Sequence, residues 1–161
     1  MAGGGVQDHP MVRVSWYDCK AYADWAGLQL PTEAQWEYAS RGGCINSNYP
    51  WGNGVDTSNI WCFETSNWMG TAPVERTYNV FENGYGLVDM VGNVFEWCAD
   101  WYGLYPGNNM INPIGASLGD QRVLRGGSWE NNIIEECICG LRARCNPNMV
   151  DHNRGFRLVF N

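Results

Sequence analysis

The sequence predicts an α+β domain, and three observations carry that prediction. Two segments ahead of Gly42 show helical spacing of apolar residues with capping signals at both ends. Short runs of strand-forming residues follow near positions 87–91, 96–101, 122–129 and 155–160. Between them the chain is rich in Gly, Asn, Pro, Trp and Tyr and sustains neither helix nor strand periodicity. The expected architecture is two helices, short antiparallel strands and long loops.

Val12 and Val14 alternate with polar neighbours and predict a first short strand. Ser15 is a good N-cap for a helix in which Trp16, Cys19, Tyr22, Ala23 and Ala26 recur, and Gly27 supplies the stop. Thr32 with Gln35 three residues on makes the capping-box pattern of a second helix, which Arg41-Gly42-Gly43 ends. From Cys44 to about Ile111, long loops pinned by aromatic rings are expected, with strands at Leu87–Val91 and Glu96–Trp101. Arg122–Trp129 reads as a strand running into a glycine bend, and Gly155–Phe160 as a closing strand. No repeat or linker divides the chain, so residues 9–161 are expected to form one domain behind a leader at 1–8.

A length of 161 residues suits a single domain with a real core. A net charge of −7, with no run of Lys or Arg, argues against a nucleic-acid partner, whose phosphate counterions only a basic surface displaces. No apolar stretch approaches a membrane span and no signal peptide is visible, which leaves the compartment open. The seven cysteines show no CxxC spacing and read mostly as buried thiols acting as small hydrophobes. Trp51, Trp61, Trp97 and Trp101 are expected as core or loop-pinning rings, and His9 as a fold residue beside Pro10.

These landmarks also carry a family resemblance. His9–Trp16, Leu30–Ala39, Tyr49–Asn53, Asn59–Trp61, Thr71–Val74, Asn83–Leu87, Val91–Trp97, Arg125–Trp129 and Gly155–Arg157 stand in the order of the motifs of the formylglycine-generating enzymes, or sulfatase-modifying factors. From His9 to the end the chain resembles that domain, which implies its version of the C-type-lectin fold. The family has a further N-terminal part before the His-Pro motif, and the resemblance begins at that motif.

The resemblance implies a chemistry to look for. These enzymes oxidise a substrate cysteine to formylglycine with copper held by two thiolates, soft ligands that select Cu(I). The first thiolate position, two residues past the aromatic of the Gly-Gly-Ser-aromatic motif, is Asn131 here. The second is Glu136 by strict count, or Cys137 if one residue is inserted, an alignment that also places Arg142 and Arg144 on the family's arginines. Copper and a catalytic residue set are therefore not expected. Cys137, Cys139, Cys145 and His152 match none of the commoner metal spacings. The family's calcium position is represented by Asp89 and Glu96 side chains with the Gly92 and Val94 carbonyls, an oxygen set suited to a hard cation. A second such position, at Asn59 and Ile60, meets Ser66 where a carboxylate is needed and is not expected to hold calcium.

Between strict motifs, residues 130–154 hold three Cys, three Glu and five Asn around apolar residues without periodicity. In position and composition this segment resembles that of the variable proteins of diversity-generating retroelements, many of which use this fold. In those proteins, mutagenesis of asparagine-type codons yields a menu that includes Ile133, Ile134, Ile138, Cys139, Gly140, Leu141, Cys145, Val150, Asp151 and His152; Glu130, Glu135, Glu136 and Met149 lie outside it. The resemblance implies a non-catalytic binder, with rigid flanking strands presenting an irregular loop to a protein or surface ligand. Apolar contact would come from Ile133, Ile134, Ile138, Leu141 and Met149, and orientation from Glu130, Asn131, Asn132 and Arg142. Glu135, Cys139, Cys145, Asn148, Val150, Asp151 and His152 belong to the same expected ligand-binding surface. For Arg142 and Arg144 a structural role, bridging loop carboxylates or carbonyls, is the preferred expectation. The alternatives are an oxidoreductase with an altered metal site and a fixed-partner interaction module.

Overall fold

The computed structural model describes residues 8–74, 76, 78–105, 107 and 109–160; the expected leader lies outside them except for Asp8. Helix α1, Trp16–Ala26, begins where Ser15 Oγ accepts the Asp18 amide while Asp18 returns a carboxylate oxygen to the Ser15 amide. Gly27 ends it in the left-handed region, at φ 71°. Helix α2, Glu33–Arg41, carries the expected Thr32/Gln35 capping box and stops at Gly42. Both helices obey the local rules because cap, apolar face and stop agree.

The sheet has four strands: β1 (Phe95–Trp101), β2 (Arg122–Arg125), β3 (Ala143–Cys145) and β4 (Arg154–Gly155), in the order β3-β2-β1-β4. β2 runs antiparallel to β1 and β3, while β4 lies parallel to β1. Glu96 faces Arg125 on one side and Gly155 on the other. The chain between β2 and β4 therefore leaves and returns at the same end of β1. Between those points β3 runs the length of β2, which brings Cys145 opposite Arg122 at the far end of the sheet.

Three strand expectations are corrected. Val12–Val14 is irregular, with Arg13 at φ 60°, and Leu87–Val91 is irregular around Asp89 at φ 54°, conformations a strand does not hold. Beyond Gly155 the closing run makes one isolated bridge, Val159 to Gln29. Strand β3 and a one-turn helix, α3 (Phe63–Ser66), arise where no periodicity signalled them.

Trp16, Cys19, Leu30, Trp97 and Leu124 form one core cluster between α1 and the sheet; Trp36, Met90, Cys98 and Val123 form another beneath α2. Cys19, Cys62, Cys98, Cys137 and Cys139 are buried free thiols, as the reading of them as small hydrophobes requires. His9 Nδ1 lies 2.7 Å from Thr71 Oγ1 and ties the start of the domain to a loop. Arg125 is fully buried and joins three elements. From β2 it reaches Glu37 of α2 at 2.5 Å and the carbonyls of Cys139 and Leu141 at 2.9 and 2.5 Å.

Candidate functional site

The 130–154 segment is a set of turns and one strand fastened to the core, not an open loop. Ile133 and Cys139 are buried with Tyr49, Ile60, Cys62, Val91 and Cys137, which removes both from the expected contact surface. The apolar face of this segment faces inward, where it joins Trp51 in covering the Tyr49–Val91 cluster. Ile138 packs partly on the same cluster. Leu141 is half-buried, and the Cys145 thiol, at the end of β3, lies 3.3 Å from Arg154 Nη1. Arg142 is structural, as expected: it grips Glu33 at 2.5 and 2.7 Å and donates to the Gly103 carbonyl. Arg144 is exposed, with its guanidinium over the Tyr102 ring.

The remaining positions reach solvent. Ile134, Glu135, Asn148, Met149, Val150 and His152 are exposed; Glu130, Asn131, Asn132 and Asp151 are half-buried. Their backbone is held by local turns. Asn131 Oδ1 accepts from Ser128 Oγ at 2.5 Å, and Asn132 Oδ1 accepts the Ile134 amide at 2.9 Å. His152 sits between Glu130, 2.9 Å from Nε2, and Asp151, 2.7 Å from Nδ1, with its ring 5.6 Å from that of Trp129. The hydrogen bond with Glu130 and the two nearby carboxylates raise its pKa above the usual 6.5.

An adjoining surface escaped the sequence reading. The Phe63 amide donates to the Asn131 carbonyl at 3.0 Å, and Ser66 Oγ donates to that of Trp129 at 3.0 Å. Asn132 Nδ2 reaches Glu64 at 2.6 Å. These bonds set α3 and its following turn against the segment. Phe63 and Trp68 meet edge to face at 4.8 Å, and Trp68 is 65% exposed at φ 60°, a conformation bulky residues seldom adopt. The signal available in sequence was the pair Trp68-Met69 in an otherwise polar turn.

The two metal expectations can be set against the geometry. Asp89 is gripped by the Arg76 guanidinium through both oxygens and also accepts from Asn93 Nδ2. Glu96 receives Arg157 through two bonds of 2.6 Å and the Trp36 indole N–H at 2.6 Å. Carboxylates whose charge and lone pairs are already answered by guanidinium do not suit a divalent cation, so Asp89, Gly92, Val94 and Glu96 as arranged do not fit calcium. Copper fits no better. Asn131 offers an amide already bonded to Ser128, and burial pushes the Cys137 thiol well above its usual range. Cys62 shares the core with Cys137, but burial pushes its thiol up to about 11, and it donates to Glu64 at 3.0 Å. Among the described residues no three His, Cys, Asp or Glu converge as metal ligands, and no helix is long and apolar enough to cross a membrane.

Comparison with known proteins follows the same lines. The mouse formylglycine-generating enzyme is 41% identical over 165 residues, covering 93% of this chain and 44% of that enzyme, so the chain spans less than half of that relative. A cattle protein named inactive C-alpha-formylglycine-generating enzyme 2 is 36% identical, over 96% of this chain and 52% of its own. Among solved structures, Treponema denticola variable protein 1 superposes with a TM-score of 0.81 at 26% identity, over 98% of this chain and 73% of that one. The likeness establishes the α+β, C-type-lectin-like fold. The model of the sulfatase-modifying factor enzyme 1-like domain matches residues 3–161, and to that family this chain belongs.

Proposed function

We propose that this chain is a non-catalytic ligand-binding protein of the diversity-generating-retroelement variable type. Its contact surface is formed by the exposed positions of residues 130–152 together with the Phe63–Met69 turn. One observation carries the reading: within the segment, fully buried positions stand beside fully exposed ones. Ile133, Cys137, Cys139 and the Arg125-bound carbonyls fasten it, while Ile134, Glu135, Met149, Val150 and His152 between them face solvent. Side chains at the second set can change without touching the first, which is what a diversified display needs. Exposed Phe63, Trp68, Met69 and Ile134 supply apolar contact and the carboxylates orientation. The partner is a protein or surface ligand.

The test is to read the same gene from sibling isolates, codon by codon. Substitutions confined to Ile134, Glu135, Asn148, Met149, Val150 and His152 support the proposal. A segment invariant between Glu130 and Arg154 overturns it. Identity of 41% to an enzyme favours a second reading, an oxidase. Copper-dependent consumption of oxygen with a cysteine peptide decides for that reading, and its absence with added Cu(I) decides against it.

A further inference from the structure

We propose that the cleft between α2 and the 103–116 loop binds a small primary amine with an apolar body, the Asp100 carboxylate receiving the ammonium group. This site is separate from the display surface: of residues 130–154, Arg142 alone lines it. The cleft encloses about 700 Å³, the size of small-molecule pockets. Ala34 and Tyr38 of α2 form one wall; Leu104, Met110 and Ile114 of the loop form the other. Leu104 and Ile114 are 98% and 78% exposed, an apolar rim that the described residues leave open.

Charge at the floor is answered everywhere but at one group. Arg142 holds Glu33, and Arg125 and Arg41 hold Glu37 at 2.5 and 2.8 Å. Asp100, on β1, is only 4% exposed, yet no guanidinium or ammonium among the described residues pairs with it. Its Oδ2 accepts the Glu33 amide at 2.7 Å. Its own backbone amide also donates to the carboxylate, and Oδ1 lies against Gly115, where an added Cβ would come within 2.6 Å. Burial, with the Glu33 charge adding to it, raises the Asp100 pKa, and the backbone amides and the Arg142 charge offset this only in part; Arg122 lies on its other side without pairing. A buried carboxylate in no direct ion pair is costly, and a cationic ligand relieves that cost. The apolar rim then takes the rest of the molecule.

Phenethylamine is the probe, with phenylpropanol and phenylpropionate as neutral and anionic controls of similar shape. Backbone amide shifts at Asp100, Leu104, Tyr105, Met110, Ile114 and Gly115 are expected on titration with the amine. The alcohol and the acid should bind about tenfold or more weakly, the range a charge-assisted hydrogen bond supplies. Asp100→Asn should bring the amine to the affinity of the alcohol and leave the alcohol unchanged, and lowering the pH should weaken the amine alone. Ile114→Ser, on the exposed rim, should weaken both without moving the unfolding midpoint. That variant and the three-probe comparison still decide the matter if Asp100→Asn fails to fold. Equal binding of amine and acid, shifts confined to other regions, or no shift at millimolar amine overturns the proposal.

Discussion

Gly127 stands at φ 74°, and a Cβ there would lie 2.7 Å from the Cys137 sulfur and from the Glu136 carbonyl oxygen. It lets the chain leave β2 and fold the start of the segment back over its own thiol. Gly127→Ala should cost about 2–4 kcal/mol, combining left-handed strain with overpacking, read as a lower unfolding midpoint in denaturant. His152 offers a second test at this scale. Its folded pKa is raised, so the stabilisation from Glu130 and Asp151 is fully present below pH 6.5 and is lost as pH rises through the higher folded value. An NMR titration should place His152 above 6.5, and Glu130→Gln should bring it down. Because the imidazole is exposed, the unfolding midpoint should barely move, whereas ligand affinity should follow the titration if His152 touches the ligand.

At the scale of elements, Arg125 couples a strand, a helix and the 130–154 segment. Arg125→Met removes the cation from Glu37 and leaves carbonyls 139–141 without their donor. A loss of about 3–5 kcal/mol is expected, as for breaking a buried pair from one side. Amide exchange should rise first in residues 139–145, whose carbonyls and short strand depend on it. Such coupling also explains which elements could be read in advance. Helices α1 and α2 were legible because their caps and stops are local, and β1 because Phe95–Trp101 is long enough to show its character. β3 was not: its three residues become a strand only by pairing with β2. The α3 turn is one turn long and is held from outside by Asn131 and Trp129. The site was legible to the same degree. Position in the chain located the segment. Which of its residues point inward depends on Tyr49, Ile60 and Val91, which are distant in sequence. The surroundings of the expected calcium set were hidden for a similar reason, since Arg76 and Arg157 reach Asp89 and Glu96 from outside the motif.

For the molecule as a whole, Arg76 and Arg157 pair with Asp89 and Glu96, the two carboxylates of the expected calcium position. Thermal unfolding should therefore show the same midpoint with added calcium and with a chelator; a rise with calcium would show that the guanidinium groups yield to it. The sharper test concerns the division of labour between frame and display. Ile133 is 2% exposed, so Ile133→Ala should cost about 2–4 kcal/mol through lost burial and a residual cavity. Replacing Ile134, Glu135, Met149 and Val150 together touches only exposed side chains, and each should stay within about 0.5 kcal/mol of neutral. The quadruple variant should keep the unfolding midpoint of the parent and, under the proposed function, lose or change its ligand. If its midpoint falls as far as that of Ile133→Ala, those four side chains are part of the frame. A surface free to diversify would then have no physical basis in this fold.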